Sequence, residues 1–342
     1  MRFVRNVPAW MSRLRRGVVR RATGDAKRAR DITAEAFFGL AFGRSPDAAE
    51  IAQLHALVPE RRIQTPAQAH RVLLAFDAQS HPTAFLVRAT VENLRRVELD
   101  RFVLWLDTDD PAVSAVIRHE RGWEAHVSDV LTERLRPGST FVDVGANVGY
   151  HTFLAASIVG PDGSVIAIEA SSENCRLLQL SKTENHAENV LVLPFALDRE
   201  PGVRYLSSHV GTNAGLIPDQ REHLLDGRGT PVFATTLDEI APSKIDVMKI
   251  DVEGAEFRVL EGGRKSLERD KPLILMEFSC EMAQRTSGVD PGTALQDILD
   301  LGYRLFVLDR RSRQPVAFAS AAALLADWDD PLHIEDLLLE PS

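Results

Sequence analysis

The stretch FVDVGANVGYHT at 141–152 restricts the possible folds of this chain more than any other. Phe141 to Val144 supply the apolar, β-branched run of a buried parallel strand. Gly145 and Gly149 permit backbone angles and close approaches that a side chain would block. Tyr150 to Ile158 then fits a helix burying Phe153, Leu154 and Ile158. A strand that breaks into a Gly-rich turn and restarts as a helix belongs at the carboxyl end of a central strand. There, doubly wound sheets bind nucleoside cofactors.

The rest of the chain supports a sheet of this kind. Short apolar runs at 165–169 (VIAIE), 189–196, 245–251 and 272–278 read as strands. Amphipathic segments with Leu177, Leu178 and Leu180, or with Phe257, Leu260 and Leu267, separate some of them. Alternating βαβ units imply a mostly parallel sheet with right-handed crossovers and helices on both faces. Ahead of it, Leu99 to Leu106 reads as a strand and Val127 to Leu135 as a helix. YRLFVLD at 303–309 and PVAFA at 315–319 are spaced for a closing hairpin.

Three short helices are expected between residues 31 and 80, as a small helical module. The first carries Ala34, Phe37, Phe38, Ala41 and Phe42 at helical spacing. The second follows Ser45-Pro46 and buries Ile51, Leu54 and Val58, and the third opens on the capping box at Thr65–Gln68. Residues 1–30 form a separate basic segment, and 81–342 the main α/β domain.

Net charge is −9 over 342 residues, but it is unevenly spread. Residues 1–30 hold ten Arg or Lys against Asp25 alone, leaving thirty basic and forty-eight acidic residues in the remainder. An acidic body of net −18 argues against a nucleic-acid substrate, which needs basic surface for its phosphates. Two readings of the basic head stay open. It is a solvated tail, or with Phe3, Trp10 and Leu14 it contacts a membrane surface or a protein. No apolar run of spanning length and no secretory signal is seen, so the expected location is cytoplasmic. Cys175 and Cys280 read as two buried thiols.

Candidate site residues cluster at strand ends. Glu169 ends the second strand, twenty positions after Gly149, where an acid accepts hydrogen bonds from ribose hydroxyls. Such charge-assisted bonds contribute about 1.5–3 kcal/mol each. Asn147 occupies the place of the middle glycine in a dinucleotide fingerprint, which argues against NAD and a nicotinamide oxidoreductase. In IDVMKIDVEGAEFRVLEGG at 245–263, Lys249 and Asp251 share one face of a buried strand. A Lys249–Asp251 or Lys249–Glu277 ion pair is the structural reading of that cluster. The functional one makes Asp251 or Glu253 a cofactor contact, a substrate anchor or a base. His151, just past the glycine turn, is a further base candidate, and His209 lies in the polar SSHVGTNAG stretch.

The ordered series DVGANVGYHT, IE, NV…FALD, TLDEI, IDVMKIDVEGAEFRVLEGG and PLILMEFS resembles the FkbM family of S-adenosylmethionine-dependent methyltransferases, clearly over about 100–280. The resemblance implies an α/β, Rossmann-like class I methyltransferase fold and O-methylation of a hydroxyl on a sugar, glycan or secondary metabolite. It assigns Asp143, Gly145, Asn147 and Gly149 to the methionine-side loop, Glu169 to the ribose, and Ala196 and Leu197 to the flanks of adenine. Glu124, in GWE, is the matching acid ahead of the first strand. An alcohol must lose a proton on methylation, and Asp251 is the first base candidate, then Glu253 and His151. Carboxylates also ligate Mg²⁺, and for Asp251 and Glu253 that reading stays open, because spacing alone does not decide it. A non-catalytic scaffold using the basic head and helices for docking is the alternative.

Overall fold

The computed structural model describes residues 32–33, 48–57, 62–63, 93–207, 215–216, 229–326, 328, 330 and 333–342. The chain divides into two compact units, Met1–Gln79 and Ser80–Ser342. In the first, β1 (Ile32–Thr33) pairs antiparallel with β2 (Arg62–Ile63), and helix α1 spans Ala48–Leu57 between them. This is the second of the three expected helices. The other two, the basic head and His209 lie outside the described residues.

The second unit begins with a hairpin, β3 (Leu94–Glu98) and β4 (Val103–Asp107). The single strand expected over Leu99–Leu106 is therefore corrected. Leu99 to Phe102 is the turn, closed by Leu99 N–H donating to Phe102 O at 2.8 Å. The charged run in LRRVE hid the first strand, because only its Leu94 and Val97 are buried. Helices α2 (Val113–Glu120) and α3 (Ala125–Arg134) lead into β5 (Thr140–Val144) and α4 (Tyr150–Val159). Then follow β6 (Ser164–Ile168), α5 (Ser172–Glu184), β7 (Val190–Leu193) and β8 (Ala196–Leu197). The longest insertion supplies β9 (Gly202–Ser207) and β10 (Gly229–Thr235). Next come α6 (Leu237–Ile240), β11 (Val247–Ile250), α7 (Glu256–Gly262), α8 (Arg264–Asp270) and β12 (Leu273–Ser279). Gly263 separates α7 from α8 where the sequence suggested one helix, and a Cβ there would lie 2.6 Å from Leu237. The chain closes with α9 (Cys280–Ser287), α10 (Pro291–Leu299), β13 (Tyr303–Leu308), β14 (Pro315–Phe318), α11 (Ala321–Leu325) and β15 (Ile334–Pro341).

Eight strands form the central sheet in the order β14-β13-β15-β12-β11-β5-β6-β7. Strands β7, β6, β5, β11 and β12 run parallel, and helices flank the sheet. This is a Rossmann-like α/β architecture with a mostly parallel sheet. The β13–β14 hairpin forms as expected. The sequence reading missed β15, which inserts antiparallel between β12 and β13. The free cysteines are Cys175, buried, and Cys280, which is half-buried rather than buried as expected.

A smaller sheet, β8-β10-β9, stands beside the main one. Its anchor is Asp198, fully buried and held by three guanidinium contacts. Arg258 on α7 binds it through both oxygens, at 2.7 and 2.6 Å, and Arg204 on β9 binds it as well. Burial alone would raise the Asp198 pKa, but the Arg258 and Arg204 bonds outweigh it and keep the group ionised.

One glycine is fixed by its neighbours as well as by its angle. Gly145 has φ +81°, and a Cβ there would lie 1.9 Å from the Asp251 carbonyl oxygen. Gly138 has φ +85° with nothing within 4 Å of its Cβ position. Replacing Gly138 by Ala should cost only the left-handed conformation, about 1–2 kcal/mol. Gly145→Ala must also displace backbone, for a loss of about 3–5 kcal/mol. Urea midpoints of the two variants check the difference, and equal losses would refute it.

Candidate active site

A cavity opens at the carboxyl ends of β5, β6, β11 and β12, and the turns that leave those strands build its walls. The β5 turn, Gly145 to Val148, forms one side, with Gly145 and Ala146 N–H both donating to Ile168 O of β6 at 2.9 and 3.1 Å. Glu169 follows β6 and reaches back to this turn. Its carboxylate accepts from Asn147 N–H at 2.8 Å and from Ser171 N–H at 2.7 Å. Burial pushes its pKa up to about 7 despite those bonds. Asp143 is buried at the end of β5 and accepts from Thr152 Oγ1 at 2.6 Å, and burial raises its pKa too.

An apolar slot lies beside Glu169. Phe195, Ala196 and Leu197 form one part of it, and Leu206 and Leu216 from the inserted segment another. Leu216 bridges to Leu206 and packs on the small cluster of Ala196, Leu206, Val232 and Ala234. The inserted segment between residues 198 and 235, expected to shape the acceptor site, reaches the cavity through these two leucines.

The opposite wall is acidic around one cation. Lys249, buried on β11, binds Asp251 at 2.7 Å and lies 3.8 Å from Glu124. Burial alone would lower the lysine pKa, but Asp251, Glu124 and Asp143 more than reverse this, so it stays charged. Glu124 reaches about 7, chiefly through burial. Glu253 is raised by burial and by Asp251. Glu256 is buried beneath the turn, accepts from Val252 N–H at 3.0 Å and Gly254 N–H at 3.1 Å, and rises to about 7 through burial. Glu277 on β12 completes the wall. Burial and the neighbouring carboxylates push it to about 9.

Of the residues singled out in the sequence, Glu124, Asp143, Gly145, Asn147, His151, Glu169, Ala196, Leu197, Asp251 and Glu253 all line this cavity. Gly149 does not. It starts α4 at φ +92°, with its Cβ position 2.5 Å from Leu178 and 2.8 Å from Phe153, so close packing fixes it as glycine. His151 is buried, 3.4 Å from Ser128 Oγ and 3.8 Å from Glu124. Burial and the Lys249 charge hold its pKa well below the usual histidine range, which makes it a weak base. Lys249 chooses Asp251, one of its two expected partners. Glu277 was weighed in the sequence only as a lysine partner, and Trp123 and Tyr150, which also line the cavity, were missed. Their signal was faint: Glu277 alternates with buried Met276 and Phe278 as Lys249 and Asp251 alternate with Ile250.

Three cavity residues, Glu124, Asn147 and Glu253, have positive φ (39°, 52° and 55°), a region that glycine fills without strain. Strain of this kind concentrates at functional sites. Among the described residues no group of three His, Cys, Asp or Glu side chains is placed to hold a metal ion. No helix among them is long and apolar enough to cross a membrane.

The cavity therefore sets Glu169, beside an apolar slot lined from two segments, opposite a wall rich in carboxyl groups. Residues 143–305 match the methyltransferase FkbM domain. Two curated relatives match over short stretches. An arsenite methyltransferase of Halobacterium salinarum is 41% identical over 56 residues, 16% of this chain and 14% of its own length. A protein-L-isoaspartate O-methyltransferase of Methanopyrus kandleri is 44% identical over 50 residues, 14% of this chain and 22% of its own. The chain thus spans less than a quarter of either relative. Among solved structures, the FkbM methyltransferase of Methylobacillus flagellatus is 15% identical, with 89% of this chain and 57% of that one covered and a TM-score of 0.38.

The raised pKa of Glu169 makes stability depend on pH. The folded state holds this proton more tightly than the unfolded chain, so the contribution is full below about pH 4.5 and lost as pH rises to about 7. At 1.36 kcal/mol per unit, the loss is about 3 kcal/mol. Glu169→Gln should flatten the fall in denaturation midpoint over that window, and an unchanged slope would contradict the assignment.

Proposed function

The chain carries an FkbM domain of the S-adenosylmethionine-dependent methyltransferases, and from that premise we propose that it moves a methyl group onto a hydroxyl oxygen of a small-molecule or glycan acceptor. The observation that carries this reading is the division of one cavity into a Glu169 side with an apolar slot and a Lys249–Asp251 side rich in carboxylates. Glu169 would hold the ribose hydroxyls, Ala196 and Leu197 the adenine, and the turn from Gly145 to Asn147 the methionine portion. When bound, the cofactor supplies an electrophilic methyl group on a cationic sulfur.

The chain's own residues do the rest. An alcohol oxygen becomes nucleophilic only as its proton leaves, and a positioned base typically contributes 10²- to 10⁴-fold, to order of magnitude. Asp251 is that base. Its salt bridge to Lys249 fixes the carboxylate at the cavity wall, where it would accept the proton of the acceptor hydroxyl. Alignment of acceptor and methyl group supplies several more kcal/mol, out of roughly 7–11 available from proximity. His151, neutral and buried, packs edge-on against Tyr150 with ring centroids 5.4 Å apart and supports the wall.

Calorimetric titration with S-adenosylhomocysteine tests the cofactor half of this reading. Micromolar binding is expected, weakened about 10- to 100-fold in Glu169→Ala, the loss of one or two charge-assisted hydrogen bonds. Absence of binding by the folded wild-type protein would refute it and favour a docking scaffold. Asp251→Asn should bind the same ligand within about threefold of wild type while turnover falls by at least about a hundredfold. Retained turnover would remove Asp251 from the base role.

A further inference from the structure

The acidic wall contains two kinds of carboxyl group. Asp143, Glu169 and Asp251 each already hold a bond from the protein, at 2.6, 2.7 and 2.7 Å, and Glu124 lies 3.8 Å from both Lys249 and His151. Among the described residues, the side chains of Glu253 and Glu277 line the same cavity without a hydrogen bond or ion pair. A partly buried carboxyl group without a partner is costly to maintain. Two of them at one end of a cavity mark where an outside molecule completes the bonding.

The backbone shows that both positions are built. Met276 pairs with Ile250 across β12 and β11, so Glu277 and Asp251 are each the next residue along and stand level. On its other side Glu277 pairs with Asp336 of β15, whose carboxylate is taken by His126 at 2.6 Å and Arg310 at 3.0 Å. Neither of those side chains bonds Glu277. Glu253 holds φ 55°, packed between Gly215, whose Cβ position is 2.8 Å from Glu253 Cβ, and Gly254, whose Cβ position is 2.4 Å from Met282 O. These contacts confine the strained turn from both sides.

We propose that Glu277 is an acceptor-binding residue, donating a hydrogen bond to a second oxygen of the acceptor beside the hydroxyl that faces Asp251, and that with Glu253 it admits neutral polyhydroxylated acceptors and rejects their carboxylated or phosphorylated counterparts. This rests on the methyl-transfer reading above. Burial and the nearby Asp251 and Glu253 keep Glu277 protonated at neutral pH, so it has a proton to donate. An anionic acceptor would meet the carboxyl groups of Asp251, Glu253 and Glu124 in this wall, with Lys249 already engaged by Asp251 and Arg285 acting on Glu253. A second oxygen held beside the reacting one selects polyols over simple alcohols.

Saturation-transfer NMR on protein loaded with S-adenosylhomocysteine tests this, with methyl glucoside, mannoside and galactoside and the corresponding methyl uronides as probes. The neutral sugars should bind, and the uronides at least about tenfold more weakly. Glu277→Ala should weaken the neutral sugars at least about tenfold, whereas Glu277→Gln, which keeps a donor of the same shape, stays within about threefold. S-adenosylhomocysteine affinity should stay within about twofold in both variants, which shows that they are folded. The proposal is overturned if no neutral sugar binds, if uronides bind as well, if Glu277→Ala matches wild type, or if Glu277→Gln falls with Glu277→Ala. If Glu277→Ala does not fold, the wild-type comparison and Glu277→Gln still decide. Failure of wild-type protein to bind S-adenosylhomocysteine would instead sink the underlying methyl-transfer reading.

Discussion

The Asp251 carbonyl oxygen lies where residue 145 would carry a Cβ, and this contact ties the cavity together. The turn after β5 and the turn after β11 are pressed backbone to backbone, with Asp251 N–H donating to Val144 O at 3.0 Å. On the other flank, Gly145 N–H donates to Ile168 O at the end of β6. Three strand ends thus share one clasp, which fixes the distance between the Glu169 side and the Asp251 side. A side chain at 145 would separate the two halves of the site before it affected any ligand directly. The glycine-rich turn is therefore as much a packing requirement of the sheet as a binding element.

Around that clasp the protein concentrates negative groups that it stabilises only in part. Glu169 and Glu256 meet backbone N–H groups, Asp143 meets Thr152, and Asp251 meets Lys249. Burial still pushes Glu124, Glu169 and Glu256 to about 7 and Glu277 to about 9. By contrast, Asp198, also buried, is kept ionised by two arginines at the base of the small sheet. The same fold can satisfy a buried carboxylate fully when its task is structural. The incomplete satisfaction at the cavity is local to it, which fits a site whose remaining partners arrive with the ligand.

Most of the scaffold was legible because its information is local. FVDVGANVGYHT specifies strand, turn and helix within twelve residues, and all three form where expected. Glu169 and Asp251 were readable because each directly follows an apolar parallel strand, the position from which a side chain meets the crevice. Strand β15 was not, since its place between β12 and β13 depends on antiparallel pairing with residues far away in sequence. Strands β9 and β10 were hidden for a similar reason. They pair with each other and with β8 across an insertion whose own composition suggests loop. Glu277 was legible only as a partner for Lys249, because its place in the cavity comes from strand adjacency: β12 lies beside β11, and nothing in PLILMEF alone reveals that. Gly149 differs in its surroundings: it is a motif position packed against Leu178 and Phe153, outside the cavity lining.

The three strained residues connect these observations. Asn147 adopts an angle at which glycine would be more comfortable, and its N–H meets Glu169. Glu253 does the same one residue before a glycine that is itself locked against Met282, so the turn could have placed its glycine earlier at less strain. Glu124 adopts a positive φ at the N-terminus of α3 without a capping bond from its side chain. Each position forgoes roughly 1 kcal/mol or more of backbone comfort. At Glu124 and Glu253 what is retained is a carboxyl group facing one cavity, since glycine would keep the backbone path and lose only that group. Selection for folding alone favours glycine at such angles. Keeping glutamate there is the local conflict expected where a side chain serves a ligand and not the fold.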